Sequence, residues 1–86
     1  MDIPYIKSVE NTWRRVIKVA NHDFTLGNYE MALNSYKEAL SSAEVLNCHY
    51  KDASQMGIPY MQMYAMSCNN LVCTYEKLFD FHNELI

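Results

Sequence analysis

Glycine and proline are nearly absent: the 86 residues hold two of each, Gly27 and Gly57, Pro4 and Pro59. Half of the residues are hydrophobic. A chain of that composition is neither loop-rich nor disordered for want of a core. Cysteine is limited to Cys48, Cys68 and Cys73, an odd number with no CxxC spacing. This is a poor disulfide framework and fits packed thiols in a reducing compartment. No apolar run approaches the ~18 residues of a membrane span, because Lys, Asn, Gln, Glu or Asp interrupts every stretch. The start, MDIPYIKSVEN, has neither the basic flank nor the apolar core of a signal peptide. A cytoplasmic protein without a membrane partner is expected.

Chemistry-bearing residues are equally sparse. His22, His49 and His82 are the only histidines. No two stand at i,i+4, and no HExxH or cysteine-rich spacing accompanies them. No metal and no cofactor are expected. Two glycines cannot build a phosphate-cradling loop, and no nucleophile–base constellation is evident, so no enzyme is expected. Basic residues gather near the start, where Lys7, Arg14 and Lys18 would fall within ~40° of one another on a helix. The net charge is nevertheless −3, and an acidic chain is a poor partner for a nucleic-acid backbone.

What is abundant is helical periodicity. Ile6, Val9, Trp13, Val16, Ile17, Ala20 and Phe24 recur three or four apart, an apolar row that predicts a first helix over about 4–26. Pro4 suits its first turn, and Gly27 suits a left-handed stop. A second row, Tyr29, Ala32, Leu33, Tyr36, Ala39, Leu40, Ala43, Leu46 and Tyr50, follows Asn28 as N-cap. It extends towards Met56, with a break near Asn47–Cys48. Pro59 opens a third row of Tyr60, Tyr64, Cys68, Leu71, Tyr75 and Leu78. This one is expected to fray at Phe79, with Asp80 capping a short fourth helix. The expected fold is all-α in one domain spanning 1–86: an antiparallel array of three long helices plus the start of a fourth. The chain is either whole or a fragment of a longer repeat protein.

The stretch LGNYEMALNSYKEAL carries a more specific signal. Residues 16–40 resemble a tetratricopeptide (TPR) repeat, a helix pair with W-x₂-L-G-x₂-Y in the first helix and A-x₃-F in the second. Val16, Val19 and Ala20 stand at the large, large and small positions, and Ala32-x₃-Tyr36 matches the second-helix pair. Gly27, Asn28 and Tyr29 form the turn. Asp23 stands where the family has its first-helix tyrosine, with Phe24 beside it to supply bulk. NNLVCTYEKLFDFHNEL resembles a second, partial copy, with Asp80 and Phe81 in the places of Asn28 and Tyr29. The copies lie farther apart than the usual ~34 residues, which implies elongated helices.

The resemblance implies a protein–protein interaction module whose first helices line a groove for a peptide or helix of a partner protein. Carried over, the groove residues are Arg14, Ile17, Lys18, Asn21 and Thr25, with Met66, Asn69, Asn70, Cys73 and Lys77 facing them. Asn21 and Asn70 fall where some family members clamp a C-terminal carboxylate. Seven tyrosines and six methionines are many for this length. Tyr60, Met61, Met63, Tyr64 and Met66 cluster at the start of the third helix, either as core or as an adaptable patch. The patch supports an alternative, a TPR-type chaperone shielding an apolar segment of a client. A nucleic-acid module using Lys7, Arg14 and Lys18 is a further rival. A third helix without a following partner would leave Leu71, Tyr75, Leu78 and Phe79 uncovered beside Phe81 and Leu85. Either a chain continuation or a homodimer through these residues would cover them.

Overall fold

The structure, a computed structural model, describes the backbone of residues 2–84 and the side chains of residues 2–80. Asp2 begins the first helix: its carboxylate accepts from the Tyr5 amide at 3.1 Å, and Pro4 lies in the first turn, where no intrahelical donor is lost. Helix α1 runs Ile3–Thr25, α2 Tyr29–Cys48, α3 Tyr50–Gln55 and α4 Tyr60–Glu84. No strand occurs among the described residues. The fold is an all-α antiparallel helical array.

The two turns share one hydrogen-bond pattern. After α1, Leu26, Gly27 and Asn28 donate to the carbonyls of His22, Phe24 and Asp23. After α3, Met56, Gly57 and Ile58 donate to Asp52, Ser54 and Ala53 at the same offsets. Gly27 (φ 81°) and Gly57 (φ 73°) supply the left-handed residue that each turn requires. Asn28 does occupy the N-cap position of α2, but its side chain makes no capping bond.

Helix α2 lies between α1 and α4 and packs on both. Ala32, Ala39 and Ala43 are wholly buried along it, and methyl groups at these positions let the neighbouring helices approach closely. Ile6, Trp13, Val16, Ile17 and Ala20 of α1 close on Tyr36, Leu46 and Ala53. A fully buried Ile6 or Leu46 contributes roughly 1.5–3 kcal/mol. The path breaks at His49, near the expected Asn47–Cys48. The short α3 continues beyond it along the start of α1, where Tyr5 meets His49 edge-on at 6.0 Å. The result is a plank of 52 × 17 × 14 Å in which α1 and α4 run in the same direction along α2.

Two expectations are corrected. Helix α4 does not fray at Phe79, and Asp80 caps nothing: the helix runs unbroken to Glu84. Neither glycine nor proline occurs between residues 60 and 84. Among the described residues only Gly27 and Gly57 have positive φ, so nothing between 60 and 84 favours leaving the helix. The short fourth element is therefore α3, ahead of the last long helix. The buried face of α4 is also rotated from the expected row. Met63, Ser67 and Thr74 are buried, whereas Tyr64 and Tyr75 of the expected row are 37% and 50% exposed.

Candidate functional site

Ser67 and Thr74 pack inward because their hydroxyls bond to their own helix. Ser67 Oγ donates to the Met63 carbonyl at 2.8 Å and Thr74 Oγ1 to the Asn70 carbonyl at 2.7 Å. Satisfied in this way, each side chain costs little to bury and occupies little room. Ser67 Oγ also accepts from the Trp13 indole Nε1–H at 2.7 Å, a buried bond tying α4 to α1. A cleft opens between the two helices farther along them, past this bond.

The cleft holds about 270 Å³. Asn21, Phe24 and Thr25 of α1 form one wall, Asn70 and Cys73 of α4 the other, and Tyr36 of α2 the floor. The Tyr36 hydroxyl donates to Asn21 Oδ1 at 2.5 Å. That bond fixes the amide and turns its two N–H donors outward. Burial, and then the neighbouring Cys73, hold the Tyr36 hydroxyl above its ordinary pKa, so it stays a donor. Thr25 Oγ1 is taken up by the Asn21 carbonyl at 2.9 Å. Phe24 meets Tyr29 edge-on at 5.1 Å and closes the end of the cleft nearest the turn.

Of the expected groove residues, Asn21, Thr25, Asn70 and Cys73 come together here. Lys18, Asn69 and Lys77 are exposed and outside the lining. Lys18 lies one turn before Asn21, and Lys77 one turn after Cys73. Arg14 is engaged elsewhere. Its guanidinium and the Lys7 ammonium both bond the buried Glu10 carboxylate at 2.8 Å. Burial alone would raise the Glu10 pKa, but bonds and charge from Lys7 and Arg14 outweigh it and hold the pKa below the ordinary value. Ile17, expected in the groove, is core at 6% exposure, and Met66 is half exposed beside the cleft. Tyr36 and Phe24 were not legible as cleft residues, since both fall in apolar rows. The tyrosine hydroxyl, four residues past Ala32, was the available signal.

The expected uncovered flank divides. Tyr75 and Phe79 are exposed, while Leu71 and Leu78 are half-buried. The side chains of Phe81 and Leu85 lie outside the described residues. Among the described residues no group of three metal-binding side chains occurs, and no helix is long and apolar enough to cross a membrane. No protein-family model, no curated protein and no solved structure matches the chain.

Proposed function

We propose that the protein is a TPR-like interaction module that takes an extended segment of a partner protein into the α1–α4 cleft. The single observation behind this reading is the pair of amides, Asn21 and Asn70, facing one cleft from parallel helices, with the Tyr36 hydroxyl orienting the first. Amide donors on opposite walls fit a peptide carbonyl or carboxylate, and Lys18 and Lys77 at the rim favour an anionic end. The Cys73 thiol and the Phe24 ring accommodate a small apolar side chain beside it. The reading is one of binding without catalysis, cofactor or metal, in the cytoplasm.

The test is a peptide library displayed with free C-terminal carboxylates, compared with the same library amidated. Binding is expected for a subset of the free-acid peptides and is expected to fall when Asn21→Leu or Asn70→Leu is introduced. Equal binding of the acid and amide forms by the wild type, or free-acid binding that both variants leave unchanged, would overturn the reading. A second reading, a chaperone for an apolar client segment, draws on the exposure of Met61, Tyr64 and Met66. Apolar peptides retained through those three residues, and indifferent to Asn21→Leu, would favour it. A nucleic-acid role finds less support, because Lys7 and Arg14 both bond Glu10.

A further inference from the structure

Helix α4 carries a second apolar row on its outward side. Met61, Ala65, Cys68, Val72, Tyr75 and Phe79 follow one another at steps of four, three, four, three and four. They share an arc of ~80°, centred ~140° from the buried Met63–Ser67–Thr74 face. Met61 and Phe79 are 69% and 68% exposed, and Val72 and Tyr75 about half. Alternating steps of three and four are the spacing of a two-helix seam. Small side chains, Ala65 and Cys68, stand in its first half, and the rings of Tyr75 and Phe79 in its second.

That asymmetry selects a partner and an orientation. A parallel second copy would set ring on ring and methyl on methyl. An antiparallel copy, related by a two-fold axis near residue 70, sets Tyr75 against Ala65, Val72 against Cys68 and Phe79 against Met61. The larger side chain then meets the smaller one in the Tyr75–Ala65 and Val72–Cys68 pairs, with a thioether against a ring at each end. Met61 also borders an apolar cleft of about 440 Å³ formed with Ile58, Pro59, Tyr60 and Gln62, where a phenyl ring fits. Antiparallel pairing further places the acidic end of each helix, Glu76 and Asp80, beside the uncharged Tyr60–Met66 of the other copy. The seam is ~27 Å long. It offers roughly 500–600 Å² per copy, and Tyr64, Asn69 and Glu76 at its edges bring this near the ~800 Å² of a stable interface.

We propose that α4 pairs antiparallel with α4 of a second copy of this chain, each Phe79 entering the Ile58–Gln62 cleft of the other. Such an interface is isologous and leaves both Asn21–Asn70 clefts open on the opposite side. Sedimentation equilibrium at about 100 μM is expected to give twice the mass of the chain. Phe79→Asp, at an exposed position that leaves the helical circular dichroism unchanged, is expected to weaken the dimer at least ~tenfold. Orientation is read by oxidising Val72→Cys in a Cys48→Ser, Cys73→Ser background and mapping the disulfides. Links between Cys68 and position 72 of the other copy are expected. A monomeric wild type, a dimer indifferent to Phe79→Asp, or links of 68 to 68 and 72 to 72 would each overturn the proposal.

Discussion

Helices α1 and α4 have nearly the same length and lie along the same central helix, yet they bury different kinds of surface. On α1 the covered apolar residues are Ile6, Trp13, Val16, Ile17 and Ala20, from the row that periodicity marks out, with Glu10 and Asp23 buried beside them. On α4 they are Met63, Ser67 and Thr74, and the larger side chains Met61, Tyr64, Tyr75 and Phe79 point to solvent. The difference shows that an apolar row gives direction only when a helix has one. When a helix has two, the row that packs within the chain is the one whose volume fits. Serine and threonine that bond back to their own turn behave as small apolar groups, and these let α4 approach α2 and Trp13 closely.

The contrast breaks most visibly at methionine. Met63→Ala is expected to destabilise by roughly 2–5 kcal/mol, the cost of an emptied core site. Met61→Ala, measured dilute enough to keep the chain monomeric, should stay within about 0.5 kcal/mol. Urea melts of the two variants compare the faces of one helix two residues apart, and similar costs would contradict the burial of the Met63 face alone.

Overpacking sharpens the same comparison on the central helix. Ala32 and Ala39 are wholly buried, and Ala→Leu at either should cost roughly 1–3 kcal/mol. Ser41→Leu, on the exposed side, should cost far less. Equal midpoints for all three would mean that α2 has no close-approach face.

The two turns are expected to respond alike. Nothing lies within 4 Å of a Cβ built at Gly27 or Gly57, so the penalty for alanine comes from the left-handed backbone alone. Each substitution should lower stability by about 1 kcal/mol, seen as a reduced urea midpoint with an unchanged slope. Unequal losses would show that the two matching hydrogen-bond patterns hide different strain.

The smallest effect is set by pH at Glu10, on the side of α1 that has no counterpart in α4. Its folded pKa is depressed, so its contribution is present above the ordinary value of 4.5 and is lost as pH falls below it towards the folded value. Glu10→Gln should therefore flatten the acid limb of the stability profile as pH falls below the ordinary value of 4.5, while changing little in its shape at neutral pH. A parallel loss at all pH values would mean that Glu10 acts through packing instead of charge.

Much of the array was legible because its punctuation is sparse. Two glycines mark two turns, and both turns formed where Gly27 and Gly57 placed them. The α1 row and the small residues of α2 were legible from spacing. The α4 face was not, since nothing in the chain itself says that Ser67 will accept the Trp13 indole from 54 residues away. The turn expected at Asp80 rested on matching Asn28 and Tyr29 without a glycine ahead of them, and the helix continues for that reason. In the cleft, Asn21, Asn70 and Cys73 were legible only as groove positions implied by the family resemblance. Tyr36 and Phe24 were hidden in apolar rows, because a ring can be core while its edge or hydroxyl lines a cleft.

The placement of α4 is tested most directly by its hydrogen bond with the only tryptophan. In ¹⁵N-labelled protein the chain gives a single indole N–H resonance, from Trp13. It is expected to be protected from hydrogen exchange, and to shift and lose protection in Ser67→Ala but not in Tyr64→Ala. An indole that exchanges freely, or one that responds to Tyr64→Ala and ignores Ser67→Ala, would contradict this orientation and with it the outward apolar row.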